Sequence, residues 1–94
     1  MKPNLEKDKK LLIATLWKLK SSKDLSAFID DLLTEEEILD LAQRIKIAKL
    51  ILEGKTYDEI AEKVKTSTST VSKIGQIIKY GKGGLEKVLD KNKN

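Results

Sequence analysis

Hydrophobic and polar residues recur with helical spacing along most of the chain, and the pattern predicts an all-α protein of about six helices. A first amphipathic helix is predicted from about Leu5 to Lys20, with an apolar face wide enough to pack against more than one neighbour. A second helix is predicted through residues 25–33, and Ser21 or Ser22 is suited to cap its first turn. The apolar residues of both helices are interpreted as core positions.

The third helix has the clearest start signal in the chain. Thr34 and Glu37 have the spacing of a capping box, in which each side chain accepts a hydrogen bond from the backbone N–H of the other residue. The helix is expected to run to about Glu53 and to end at Gly54, which adopts left-handed conformations easily. Because this helix is apolar on two sides, the pattern predicts a dimer whose helices interlock, with a monomeric bundle as the alternative.

Residues 55–80 predict two short helices separated by a turn at residues 65–67. Each helix has one apolar face. These faces consist of Ile60, Ala61 and Val64 in the first helix and of Val71, Ile74 and Ile78 in the second. The small side chain of Ala61 allows the two helices to approach closely. The pattern is that of a helix-turn-helix motif, in which the second helix enters the major groove of DNA.

The outward positions of the second helix are small, polar or basic. They are Thr68, Ser69, Ser72, Lys73 and Gln76. Such side chains can form hydrogen bonds with base edges or phosphates, and they are too small to block entry into a groove. A purely local interpretation also exists, because Ser67 is a natural N-cap and the hydroxyls of Thr68 and Thr70 can satisfy free amides in the first turn.

Glycines follow the predicted recognition helix. Gly81 is expected to end it, and Gly83 and Gly84 extend the turn. A last short helix is predicted after them, before residues 91–94 fray. A glycine-rich loop can hold phosphate, but no strand precedes this one and no Gly-Lys-Ser/Thr sequence follows it, so a nucleotide loop is not expected.

Composition excludes several classes of chemistry. The 94 residues contain neither Cys nor His, so we expect no disulfide, no thiolate or imidazole catalysis and no metal site. We expect no enzyme, because catalysis would have to rest on Ser, Lys or carboxylate groups, and the acidic residues at 30–31 and 35–37 are better explained as helix-end charges. The amino-terminal segment is too polar for a signal peptide or a membrane span, and a cytoplasmic, nucleoid-associated location is the expectation. The net charge is +4. Both ends of the chain are basic and residues 24–64 are acidic, which suits binding of a polyanion at the ends.

Residues 33–84 resemble the tryptophan repressor family, and the Tyr-Gly-x-Gly-Gly ending is most similar to its YerC/YecD-type branch. The resemblance implies an all-α, intertwined homodimer that presents two recognition helices to successive major grooves of double-stranded DNA. The length of the chain predicts a single helical domain over residues 1–94. Within that domain, residues 1–33 would form dimerisation helices, 34–54 a central helix, 55–80 the helix-turn-helix motif, and 81–94 a glycine-rich joint and C-terminal helix.

The resemblance also implies roles for individual residues. Thr68, Ser69 and Ser72 match base-reading positions, to which the outward-facing Gln76 is added, and Thr70 matches a position near the DNA backbone. The phosphate-binding candidates beside this surface are Lys65, Thr70, Lys73 and Lys79.

Three residues depart from the usual helix-turn-helix pattern. Lys65 stands at a turn position that is usually glycine and Thr66 at one that is usually apolar, and together they predict a looser turn. Gly75 lies inside the recognition helix, where it costs roughly 1 kcal/mol relative to Ala and predicts a partly flexible helix before DNA binds.

Tryptophan is not expected as corepressor, and no other cofactor is expected. Thr34 and Arg44 match residues of the family's ligand pocket, so they are candidate ligand contacts. The opposing wall differs, because Lys73 replaces an arginine that pairs with the ligand carboxylate and Ile74 replaces a glycine that leaves room for the ligand. Arg44 is instead expected to bond acidic groups or helix ends.

The sequence as a whole predicts a sequence-specific, DNA-binding transcriptional regulator, most simply a repressor that binds a palindromic operator as a homodimer. The alternative from another class is a helical protein-interaction module that has kept the architecture and lost DNA binding. Charge reversal on the outward face of the second helix distinguishes the two, because it abolishes DNA binding and spares a protein partner.

Overall fold

A computed structural model describes residues 3–90, and its regular elements in that range are six α-helices. The helices are α1 (Leu5–Leu16), α2 (Ser22–Leu32), α3 (Glu35–Leu52), α4 (Tyr57–Val64), α5 (Thr68–Tyr80) and α6 (Gly84–Leu89). The prediction of an all-α fold with about six helices is therefore confirmed. The predicted fraying of residues 91–94 lies outside the described residues, as do the first two residues of the chain. No helix within residues 3–90 is both long enough and apolar enough to cross a membrane.

The chain divides into two compact units, one up to Ile38 and one from Leu39 onward. In the first unit, α1 begins where predicted, with the Asn4 side chain accepting a hydrogen bond from the Lys7 amide at 3.1 Å. The helix ends at Leu16, and the predicted end at Lys20 is wrong. After Leu16, backbone amides donate hydrogen bonds to the carbonyl three residues earlier, as in the bond of 3.1 Å from the Lys18 amide to the Thr15 carbonyl. Such bonds tighten and end a helix.

Helix α2 begins at the predicted cap, because the Ser21 hydroxyl accepts a hydrogen bond of 3.1 Å from the Asp24 amide. Its apolar residues Phe28 and Ile29 are half-buried, and neither α1 nor α2 contains a fully buried residue. The apolar faces of these two helices are therefore largely uncovered in the single chain.

Helix α3 has both predicted boundaries to within one residue. The Thr34 amide donates to the Glu37 carboxylate at 2.9 Å, and the Glu37 amide donates to the Thr34 hydroxyl at 3.1 Å, so the capping box is confirmed. After the helix, Gly54 adopts a left-handed conformation with φ 88°, and the Lys55 amide returns to the Leu50 carbonyl at 3.1 Å. This is the glycine termination that satisfies the last carbonyl groups of a helix.

The buried core of the described chain lies in the second unit and consists of five residues. Helix α3 contributes Ile47 and Ala48, α4 contributes Ile60, and α5 contributes Val71 and Ile74. Half-buried apolar residues of α3 to α6 pack around them, among them Ala61, Val64 and Ile78 of the predicted helix-turn-helix skeleton. The core therefore fixes the apolar face of α5 against α3 and α4, and it leaves the opposite face of α5 free.

Candidate nucleic-acid interface

Helix α4 starts with a second capping box, which the sequence interpretation missed. The Thr56 amide donates to the Glu59 carboxylate at 2.9 Å, and the Glu59 amide donates to the Thr56 hydroxyl at 3.1 Å. The Thr-x-x-Glu spacing was the available signal. Hydrogen bonds from the backbone and then the side chain of Thr56, with a smaller attraction from Lys55, hold the pKa of Glu59 below its ordinary value.

The turn between α4 and α5 is closed by backbone hydrogen bonds. Lys65 adopts the left-handed conformation, φ 58° and ψ 56°, and the Thr66 amide donates to the Ala61 carbonyl at 2.9 Å. The Gln43 side chain of α3 also donates to the Val64 carbonyl at 3.4 Å. The expectation of a looser turn is therefore wrong, because Lys65 adopts the conformation that glycine usually supplies.

The first turn of α5 is organised by Ser67. Its hydroxyl accepts a hydrogen bond from the Thr70 amide at 3.1 Å and lies 3.0 Å from the Thr70 hydroxyl. The local interpretation is therefore confirmed for Ser67 as the N-cap, whereas the Thr70 hydroxyl contacts the Ser67 hydroxyl and not a backbone amide. The Thr70 side chain is half-buried, so its assignment as a phosphate contact remains a prediction.

The remaining predicted contact residues lie on the free side of α5. Thr68, Ser69 and Gln76 are exposed, and Ser72 is half-buried; these four residues are called the recognition face below. Val71 and Ile74 are buried on the opposite side of the helix. The four base-edge candidates thus lie on one side of α5, and none of them belongs to the buried core.

Three exposed lysines accompany the recognition face. Lys65 lies in the turn, Lys73 in the middle of α5 and Lys79 in its last turn. Within residues 3–90 none of the three ammonium groups forms an ion pair, and the nitrogen of Lys79 lies 6.0 Å from the ring centre of Tyr80, at the outer limit of a cation–π contact. Their charge is therefore available to a polyanion.

Gly75 has a packing role that the sequence interpretation missed. It is buried, and a Cβ atom at this position would lie 2.9 Å from Cζ of Tyr57 and still closer to its hydroxyl oxygen. The glycine therefore lets the aromatic ring at the start of α4 lie directly on α5. A glycine inside a helical pattern is a signal of such close approach. The structure indicates a contact role for Gly75 and shows a continuous α5 through it.

The candidate ligand-pocket residues have separate surroundings. Thr34 caps α3, and Arg44 is exposed and forms neither a hydrogen bond nor an ion pair with residues 3–90. The expected bonds from Arg44 to acids or helix ends are therefore not formed in the described chain. Ile74 is 6% exposed and belongs to the core, whereas Lys73 is exposed. Residues 3–90 contain no group of three acidic side chains placed to hold a metal ion.

Comparisons with known proteins agree with this architecture. A model of the Trp repressor protein family matches residues 7–93. The uncharacterised protein YerC of Bacillus subtilis (strain 168) is 37% identical over 82 residues, which are 87% of this chain and 79% of YerC.

Solved structures give the same result. The crystal structure of a TrpR-like protein from Eubacterium eligens ATCC 27750 matches with a TM-score of 0.78 and 37% identity, covering 84% of this chain and 81% of that one. The crystal structure of a candidate Trp repressor from Staphylococcus aureus matches with a TM-score of 0.79 and 30% identity, covering 96% of this chain and 88% of that one.

Proposed function

Because the chain belongs to the Trp repressor family, whose fold indicates a DNA-binding regulator, we propose that it is a sequence-specific transcriptional regulator. In this proposal a homodimer binds a palindromic operator in the cytoplasm and represses most simply by occupying it. The observation that carries the proposal is the division of α5 into a buried apolar face and the free recognition face. A helix held in this way can enter the major groove with its polar side chains against the base edges.

The uncovered apolar side chains of α1 support the homodimer. Leu5 is 75% exposed, Trp17 is 87% exposed, and Leu11, Leu12 and Ile13 are exposed as well. A concentration of large apolar side chains on one exposed helix is typical of a surface that another molecule covers. Helices from a second copy of the chain would bury this surface and hold two recognition helices at a fixed separation.

The unpaired lysines support an electrostatic contribution to binding. Lys65, Lys73 and Lys79 would displace counterions from phosphates, so affinity is expected to fall steeply as salt concentration rises. The hydroxyl and amide groups of the recognition face would then distinguish base sequences.

We further propose that DNA binding does not require tryptophan. Lys73 lacks the planar guanidinium fork that pairs with a carboxylate, and the buried Ile74 occupies the space that a glycine would leave for a ring. DNA affinity is therefore expected to be the same in the presence and absence of tryptophan.

The experiment measures binding of fluorescent random-sequence duplexes by anisotropy, at two salt concentrations, to the wild type and to the Lys73→Glu/Lys79→Glu variant. Affinity in the variant should fall at both salt concentrations, and the slope of log affinity against log salt should decrease by about 1 for each lysine lost from a phosphate. The matched control is Lys18→Glu/Lys20→Glu, which changes the charge equally at two exposed positions between α1 and α2.

Equal losses in the two variants would contradict a specific role for α5 and would indicate attraction by net charge alone. If the wild type binds no duplex at low salt, the proposal fails and the protein-interaction alternative takes its place. Repeating the titration with tryptophan tests the second proposal, which a tryptophan-dependent rise in affinity would contradict.

A further inference from the structure

A groove of about 670 Å³ lies between α3 and the end of α4, within the second unit, and none of the four residues of the recognition face lines it. Its apolar surface is formed by Leu39 and Leu50 of α3 and by Val64 of α4. This volume is in the range of pockets that bind small organic molecules. The hydrogen bond from the Gln43 side chain to the Val64 carbonyl joins the two walls.

Lysines surround the apolar surface from both helices. Lys46 and Lys49 extend from α3, and Lys63 and Lys65 from the end of α4 and the turn. All four are exposed, and none of them forms an ion pair with any residue between positions 3 and 90. Four like charges around one groove repel each other, and a bound anion would remove that repulsion.

Neither acidic side chain of the groove forms an ion pair with these lysines in the described range, although Glu53 lies one helical turn from Lys49. Asp40 lies in α3 and Glu53 directly follows it, so these two carboxylates of the groove are about 20 Å apart along the direction of the helix. They therefore lie toward opposite ends of the groove, and Lys46 and Lys49 lie between them. The middle of the groove combines positive charge with apolar surface.

We propose that this groove binds a small amphipathic organic anion, with an apolar body on Leu39, Leu50 and Val64 and a carboxylate, sulfonate or phosphate group among the lysines. The site uses neither Thr34 nor Arg44, so it is distinct from the candidate ligand contacts considered above. Binding of the anion does not depend on the proposed DNA-binding function.

A consequence for DNA binding rests on that proposed function. Lys65 belongs both to the groove and to the phosphate-contact candidates, so an anion bound beside it would compete with the DNA backbone for its charge. Occupancy of the groove is therefore expected to weaken DNA binding.

The test uses 1-anilinonaphthalene-8-sulfonate as the probe and N-phenyl-1-naphthylamine, which has the same rings without the sulfonate, as its uncharged control. Backbone amides are followed by nuclear magnetic resonance in the full chain during each titration. The sulfonate should shift the amides of Gln43, Lys46, Val64 and Lys65 saturably, and the uncharged control should bind these residues much more weakly.

The matched variants are Lys46→Gln/Lys49→Gln and Lys18→Gln/Lys20→Gln, and all four positions are exposed. The first should lower affinity for the sulfonate about tenfold, and the second should leave it unchanged. The amide spectrum itself reports whether each variant is folded. The proposal is overturned if both probes bind equally well, if the shifts fall on α1 instead of the groove, or if the groove variant binds as tightly as the wild type.

A second arm measures DNA affinity with and without the sulfonate. A loss of DNA affinity in the wild type that is absent from Lys46→Gln/Lys49→Gln supports the coupling. Unchanged DNA affinity with the groove occupied overturns the coupling and leaves the anion site supported. If no DNA binds under any condition, the proposed function fails, whereas the resonance shifts still decide the anion site.

Discussion

The contact between Gly75 and Tyr57 connects a single residue to the orientation of the recognition helix. The ring at the start of α4 lies where any larger residue at position 75 would place its Cβ atom. Tyr57 is nevertheless 42% exposed, so its ring has room to move outward when it is displaced. An alanine at position 75 therefore has two opposing effects, a gain in helix propensity and a loss of the ring contact.

We predict that the effect of Gly75→Ala on the free energy of unfolding depends on Tyr57. The change in the free energy of unfolding caused by Gly75→Ala should be more favourable by about 1–2 kcal/mol in the Tyr57→Ala background than in the wild type, because the clashing ring is absent. Urea unfolding of the four proteins in this cycle measures the difference. Gly84→Ala is the control, since nothing lies within 4 Å of its added Cβ atom. Additive effects of Gly75→Ala and Tyr57→Ala would show that the contact has no energetic role.

Glu59 gives a prediction for the dependence of stability on pH. Its pKa is lowered in the folded chain by the hydrogen bonds from Thr56, so its carboxylate stabilises the fold at pH values above the ordinary pKa of 4.5. This contribution is lost as the pH falls from 4.5 through the lowered pKa. Thr56→Ala removes the hydroxyl and keeps the backbone N–H, which is the larger cause of the shift. The variant should therefore raise the pKa of Glu59 only part of the way toward its ordinary value and reduce the loss of stability in that range.

Carbon-detected resonance titration of the Glu59 carboxyl measures its pKa in both proteins, and thermal unfolding at neutral and acid pH measures the stability. Ser69→Ala serves as the control, because it replaces an exposed hydroxyl that caps neither helix. An unchanged Glu59 pKa in Thr56→Ala would contradict a contribution of the Thr56 hydroxyl to the shift.

At the residue scale, local interactions could be predicted from the sequence and non-local ones could not. The caps at Ser21, Thr34 and Ser67 depend on residues three positions away, so spacing alone identifies them. The ring of Tyr57 meets Gly75 only after α4 and α5 have packed together. The sequence shows a glycine inside a helical pattern, but it does not show which side chain packs against that glycine.

At the scale of elements, the turn of the helix-turn-helix motif contains a lysine whose backbone conformation lowers the stability of the fold and whose charge favours the proposed DNA binding. Lys65 is the one non-glycine residue with positive φ among residues 3–90, at 58°. A left-handed conformation costs an ordinary residue about 1 kcal/mol or more relative to glycine. The same lysine is a candidate phosphate contact beside the recognition face.

We predict that Lys65→Gly raises stability by up to about 1 kcal/mol and weakens DNA binding. The gain comes from relief of the left-handed conformation, and the loss comes from removal of one phosphate contact, which should also decrease the salt slope by about 1. Chemical unfolding and anisotropy titrations measure the two effects. Lys82→Gly is the comparison for lost charge, because Lys82 lies beyond α5 and has no positive φ. A variant that is less stable, or that binds DNA with the wild-type salt slope, contradicts this account of Lys65.

Helix boundaries could be predicted where a cap marks them. Helix α3 has Thr34 at its start and Gly54 after its end, and both boundaries were found. Helix α1 has no glycine or proline after it, so the apolar pattern through Trp17 and Leu19 extended the prediction beyond the observed end at Leu16. The i+3 hydrogen bonds that end this helix have no distinct sequence signal.

At the scale of the whole molecule, the proposed homodimer explains both the small buried core and the uncovered apolar residues of α1. Six residues between positions 3 and 90 are buried, the five apolar core residues and Gly75, and none of them belongs to α1 or α2. The sequence indicated a partner because the apolar faces of its helices are wider than a chain of this length can bury by itself. It could not identify which residues a second copy covers, because that depends on contacts between chains.

We predict that Leu12→Glu on α1 dissociates the dimer. In the proposed homodimer this leucine is buried by the second copy, so a carboxylate there is costly to bury. Sedimentation equilibrium should give a mass of twice 10.6 kDa for the wild type and a lower mass for the variant. Lys10→Glu, a charge change at an exposed position of the same helix, should remain dimeric. A wild-type mass of 10.6 kDa would contradict the dimer.

A sequence-specific, dimeric DNA-binding regulator should select its own site from a pool of random duplexes, and this selection is carried out at two salt concentrations. The retained DNA is sequenced at each salt concentration. We expect enrichment of a pseudo-palindrome whose half-sites lie about ten base pairs apart, with less DNA retained at the higher salt concentration. Retention of DNA without an enriched sequence, or no retention at low salt, would contradict the proposed function.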